Sequence, residues 1–206
     1  MNRIPEKLQE LFSYMDSTRA ALIATAREMN PSFAQIRPRE GMWSAADNLA
    51  HLALVEGNVV ALMTKSIAEA RAAGIGPETS DASFMSSLDR WKVPENEMKV
   101  IAPTRITPMP DSEKTIDDSL ASLLMSRERL RDVLTENCDV DLASIKRPHP
   151  LLRDLDMYQW ALFVAQHEER HRRQIERTLS GQCDEFRCLT EIHRERLLRV
   201  DVLACF

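Results

Sequence analysis

Residues 167–171 read HEERH. The pattern is H-E-x-x-H, in which two histidines one helical turn apart hold zinc and the glutamate activates a water in metalloproteases. On a helix, i,i+4 spacing puts His167 and His171 on one face. Their stripe also carries Trp160, Val164, Gln174 and Thr178, so it starts apolar and turns polar, as in a core that opens into a cavity. Two readings of the pair stand side by side. Each ring is a hydrogen-bonded core or rim histidine, or the two share a divalent ion. Without an ion, both buried imidazoles need separate partners. The i,i+4 pairs Glu168/Arg172 and Glu169/Arg173 mark the flank expected to face solvent, with Glu168 a surface residue.

The remaining histidines differ in context. His51 lies on a second periodic segment, in line with Asn48, Val55, Asn58 and Leu62. If that segment faces the first, His51, His167 and His171 form a three-His site with open coordination positions, which suits Zn²⁺ or Ni²⁺. His149 sits in RPHP and reads as an exposed loop residue beside rigid prolines. His193 follows Cys183 and Cys188 in a C-x4-C-x4-H spacing that matches no standard zinc finger. The zinc-protease reading takes Glu191, 20 residues beyond His171, as its third ligand. Against it, such proteases hold substrate along a sheet edge, and no convincing strand precedes the motif.

Positioning these side chains falls to helices. The chain has 206 residues, enough for one well-buried domain, with 44% hydrophobic and 29% charged residues and only five glycines. Helical periodicity runs over about residues 5–29, with Leu8, Leu11, Met15, Leu22 and Ala26 as its stripe, stopping before Pro31. It returns over 44–73, where Ser44 and Asp47 form a capping-box pattern, Leu49, Leu52, Val59, Met63 and Ile67 make the stripe, and Gly74 is the stop. Residues 74–111 break the pattern with five prolines and read as a crossover, with a short helix around Ser83–Trp91. A third helix spans 112–136 on Ile116, Leu120, Leu123, Leu130 and Leu134. The fourth spans 154–180 and is closed by Gly181.

These elements predict an all-α four-helix bundle over residues 1–180, with a long crossover between helices 2 and 3. Short links make helices 1 and 2, and helices 3 and 4, antiparallel neighbours. Residues 181–206 form an extension of unassigned role, with a further short helix over 189–203. The formal charge of −5 argues against a general nucleic-acid partner, and no apolar run of membrane length or leader-like start occurs. A cytoplasmic protein is expected, with Cys138, Cys183, Cys188 and Cys205 reduced.

Two stretches, MWSAADNLAHLALVE and RPHPLLRDLDMYQWALFVAQHEERHRRQIERT, together resemble the DinB-like superfamily of four-helix metalloproteins. The likeness rests on Trp43-Ser44, His51-Leu52, His149-Pro150, Trp160, and the run His167, Arg170, His171, Gln174, Ile175. It covers roughly residues 5–180. The resemblance implies a metal site of His51, His167 and His171, with HEERH an accidental match to the protease motif. It also implies a metal-dependent enzyme, a thiol S-transferase ahead of a hydrolase, using a divalent metal such as Zn or Ni and a low-molecular-weight thiol. A small-molecule substrate and a homodimer fit the same picture. Glu56 and Gln174 are candidates to support the ligands, and Trp43 and Trp160 to wall the pocket. The alternative is a non-catalytic metal or small-molecule binding stress protein. Relatives often carry Gly shortly after the His-Pro pair, where this chain has Leu151, Leu152 and Arg153.

Overall fold

A computed structural model describes residues 4–30, 34–95, 106–107 and 115–203, with side chains described as far as residue 180. Four helices dominate: α1 (Glu6–Arg27), α2 (Ala45–Ala72), α3 (Ile116–Thr135) and α4 (Met157–Leu203). Their ends are set by local chemistry. At the start of α2 the Asp47 N–H donates to Ser44 Oγ (3.0 Å) and the Ser44 N–H donates back to Asp47 Oδ2 (2.9 Å), a reciprocal cap. Thr115 and Asp118 repeat it at the start of α3. Helix α2 ends where Gly74 takes φ +79° and the Ile75 N–H reaches back to Ala70 O (3.1 Å). That left-handed turn is one glycine adopts without a Cβ clash.

Three expectations need correction. Gly181 does not end the fourth helix, which continues as one element to Leu203, so no separate short helix follows. Glycine inside a helix costs only about 1 kcal/mol relative to alanine, and no proline stands nearby to enforce a stop. The span between α3 and α4, where the sequence shows neither helical nor strand periodicity, is not irregular throughout. It folds into an antiparallel hairpin, β1 (Lys146–His149) and β2 (Arg153–Asp156), with His149 opposite Arg153. In the crossover, 3-10 turns at Asp89–Trp91 and Val93–Glu95 stand in place of the short helix.

The packing order also differs from expectation. Helix α1 packs chiefly on α4, and α2 packs on both α3 and α4, so α1 and α2, and likewise α3 and α4, lie across the bundle diagonals instead of side by side. Only a tight loop forces adjacent helices together, and residues 28–44 and 136–156 are long enough to cross a diagonal.

The core is divided. One apolar cluster holds Leu8, Met15, Val59, Met63, Leu130 and Ala165 among others. A second holds Leu22, Leu49, Leu52, Leu123 and Ile175. Between them lie four buried charges, one from each helix: Arg19, Glu56, Arg127 and Glu168. Arg19 Nη2 donates to Glu56 Oε2 and to Glu168 Oε2, both at 2.7 Å, while Arg127 donates from Nε to Glu56 Oε1 (2.6 Å) and from Nη2 to Glu168 Oε2 (3.0 Å). Arg19 Nη1 and Arg127 Nη1 also donate to the carbonyls of Leu123 and Met15. Burial opposes the charge on Arg19, but Glu168 and Glu56 outweigh it and raise its pKa. No helix among the described residues is long and apolar enough to cross a membrane.

Candidate metal centre

Helices α2 and α4 meet where the sequence put their histidines. One ring nitrogen from each of His51, His167 and His171 lies within 4.8 Å of the others, and the rings are only 3, 9 and 6% exposed. Nε2 of His167 stands 3.1 Å from Nε2 of His171. Two imidazole nitrogens that share an ion at ~2.0–2.1 Å from each lie about that far apart when the angle between them is roughly 100°.

The protons of two rings are assigned by their partners. Nδ1 of His51 lies 2.6 Å from the Ile106 carbonyl, which only accepts, so Nδ1 is the N–H and Nε2 carries the lone pair. Nδ1 of His171 lies 2.7 Å from Asn48 Oδ1. The Asn48 amide is itself oriented, because its Nδ2 donates to Ser44 O at 2.8 Å. His171 therefore also keeps its proton on Nδ1 and turns a bare Nε2 toward His167. A ligating histidine is commonly held this way, the second nitrogen donating to a fixed acceptor. Helix α2 supplies that acceptor from Asn48, one turn before His51.

The electrostatics keep the rings neutral. Burial lowers the pKa of His51, and pushes His167 and His171 well below the ordinary histidine value. His51 further lowers both His167 and His171, His167 lowers His171, and the Arg170 guanidinium lowers all three. No carboxylate is among the groups that shift them. Neutral nitrogens with lone pairs converging in a buried pocket fit a borderline divalent ion, the class to which zinc and nickel belong.

A family model described as the DinB superfamily matches residues 14–175, a span that includes all three clustered histidines. The chain belongs to the DinB superfamily. Among solved structures, this DinB-superfamily protein is similar to TT2238, a four-helix bundle protein. The TM-score is 0.53 and the identity 20%, over 82% of this chain and 97% of that one. At that identity the likeness concerns the fold. No curated protein matches the chain.

The other expected site residues divide. Trp43 lies against the cluster, its ring 4.6 Å from His51 and stacked 6.2 Å from His171. Gln174 is close enough to His171 for its amide to favour the protonated ring. Trp160 packs on Phe163, whose ring stacks on His167 at 5.1 Å, so it walls the site at one remove. Glu56 does not support the ligands. Five residues beyond His51, it turns to the charge layer, where Arg19, Arg127 and Ser126 take its carboxylate.

Glu168 is not a surface residue. It is 1% exposed, and its Oε2 accepts from Arg19 and Arg127. A protease glutamate must reach a water at the metal, and this carboxylate is held instead by two guanidiniums. The protease reading fails there. The side chain of its expected third ligand, Glu191, lies outside the described residues, as do those of His193, Cys183, Cys188 and Cys205. Twenty residues of helix advance about 30 Å, which carries Glu191 away from His171.

Sequence reasoning missed Asn48 as the anchor of His171 and Arg19 and Arg127 as partners of Glu168. The signal for the arginines was present. Each apolar stripe of α1, α2 and α3 skips one core position, and those positions are Arg19, Glu56 and Arg127.

Proposed function

We propose that this protein holds one divalent ion, zinc or nickel, on His51, His167 and His171, and that it is an enzyme acting on a small molecule. Thiol S-transfer is favoured over hydrolysis. The single observation that carries the reading is the convergence of three neutral imidazoles, two of them with Nδ1 tied to fixed acceptors. A bound divalent ion would supply a Lewis acid that lets a thiol or a water lose its proton near neutral pH. The chain's own part is positional and electrostatic. Asn48 and the Ile106 carbonyl hold two rings at a set angle. Trp43 and Phe163 pack on the ligand rings, which limits water there. Arg170 lowers the pKa of all three rings and so helps to keep them in the neutral form that can offer a lone pair.

A second reading, non-catalytic metal binding, draws on the burial of all three rings, which leaves little ligand surface for a reactant. The test begins with metal content by mass spectrometry on wild type and His51→Ala. About one zinc or nickel per chain in wild type, lost in His51→Ala, is the expected result. Equal metal in both would sink the three-His assignment. The loaded protein is then assayed for transfer of low-molecular-weight thiols to model electrophiles. Full metal loading without turnover on thiol or ester substrates would leave the binding role.

A further inference from the structure

Between the two 3-10 turns of the crossover, Lys92 takes a left-handed step at φ +46°, and the second turn, Val93–Glu95, packs on α4. Under these turns lies a cavity of about 300 Å³, with Tyr14 of α1 and Gln166 of α4 on its walls. A second cavity of about 360 Å³ continues along α1 and shares Tyr14, Pro94 and Glu95 with the first. Each is large enough for a small organic molecule. Gln166 immediately precedes His167, but one helical residue turns the side chain by about 100°. No histidine of the cluster lines either cavity.

Gln166 is 7% exposed, and its Oε1 has no hydrogen-bond partner among the described residues. A buried carbonyl oxygen without a donor is costly, and a ligand N–H that reaches it removes the cost. Leu88, Val93 and Pro94 add apolar wall, and Asp89 and Glu95 outnumber Lys92 among the charges. Arg172 and Arg173 both hold Glu169, so among the described residues Glu95 has only a longer contact, 3.6 Å, with Arg173. The half-buried Tyr14 hydroxyl registers the balance. Burial raises its pKa, and Glu169 and Glu95 raise it further, each by more than Arg173 lowers it. The side-chain potential at that hydroxyl is therefore negative. A tyrosine ring on the wall is a further partner for an ammonium group.

We propose that this recess between α1, α4 and the crossover turns binds a small organic amine in its protonated form, the ammonium donating to the Gln166 carbonyl and its charge balanced by Glu95. The apolar body of the ligand packs on Leu88, Val93 and Pro94. The inference goes beyond the metal reading and does not depend on it.

Benzylamine, an ammonium ion at neutral pH, is titrated into the isotope-labelled protein and followed by the amide resonances, with benzyl alcohol as its neutral counterpart. Saturable shifts centred on Tyr14, Gln166 and Val93–Glu95 are expected, with a Kd on the order of 1 mM for a molecule of this size. Benzyl alcohol binds at least about 10-fold more weakly, having no charge to strengthen its hydrogen bond. Gln166→Leu keeps the fold, since it removes a buried oxygen that has no partner, and weakens benzylamine about 10-fold. Glu95→Gln weakens it about 2- to 5-fold, the range of an exposed ion pair. His51→Ala alters no residue of the recess and binds benzylamine as wild type does. Absence of saturation, or benzyl alcohol binding as tightly as benzylamine, overturns the inference. So does unchanged affinity in Gln166→Leu. Shifts that vanish in His51→Ala place the amine at the histidine cluster and overturn it as well, and leave the metal reading untouched.

Discussion

His167 and Glu168 are consecutive residues whose side chains serve opposite sides of α4. Nε2 of His167 faces Nε2 of His171 at 3.1 Å, while Oε2 of Glu168 takes Arg19 Nη2 at 2.7 Å. One residue of helix turns the chain by about 100°, enough to move from the histidine face to the charge layer. The charge layer and the histidine cluster therefore share a segment of helix.

That layer should behave as a unit. Removing one partner of a buried ion pair strands the other, so Arg127→Met or Glu168→Leu alone should cost about 3–5 kcal/mol. Replacing all four of Arg19, Glu56, Arg127 and Glu168 by apolar residues of similar size should be neutral or stabilising by about 1–4 kcal/mol. Urea unfolding of the singles and the quadruple variant measures both. A quadruple variant as unstable as the singles would show that the layer contributes net stability of its own.

Asn48 holds His171 through Nδ1 and makes no direct ligand contact. Asn48→Leu should leave the bundle folded and weaken metal affinity about 10- to 100-fold, the usual effect of losing such an anchor. Competition against a chelator reports the affinity, and circular dichroism checks the fold. Unchanged affinity would remove Asn48 from the site.

The protonation of His149 gives a pH dependence with a defined sign. Its folded pKa of about 4 lies below the unfolded value near 6.5. Between those limits the unfolded state binds more protons, so this residue lowers stability as pH falls from about 6.5 to 4 and contributes no further slope below. Stability measured at several pH values should therefore fall more steeply toward pH 4 in wild type than in His149→Asn. Parallel curves would mean that His149 is not held neutral.

Arg153 occupies φ +66° at the hairpin turn. A side chain in that region costs about 1–2 kcal/mol, partly offset by the greater freedom glycine has when unfolded. Arg153→Gly should thus stabilise the protein by about 0.5–1 kcal/mol, read as a rise in Tm. A fall in Tm would show that the arginine makes contacts that outweigh its backbone strain.

Much of the bundle was legible in the residues. The Ser44/Asp47 cap, the Gly74 stop and the apolar stripes fix where helices begin, end and turn their faces, because these depend on neighbours within a few positions. The i,i+4 spacing of His167 and His171 is likewise a local fact. Helix pairing was less legible, since linkers as long as residues 28–44 and 136–156 leave several arrangements open.

The sequence by itself determined the helices, their caps and the shared face of two histidines, all consequences of the 3.6-residue repeat and local hydrogen bonding. Tertiary structure alone decided that α2 meets α4, so that His51 joins the pair. It also decided that Glu168 is a buried charge and that the half-buried His149 ring accepts from the hairpin turn. A periodicity tells which side of a helix a residue lies on. What stands opposite depends on contacts between residues far apart in the chain: Arg19 is 149 positions from Glu168, and Asn48 is 123 from His171.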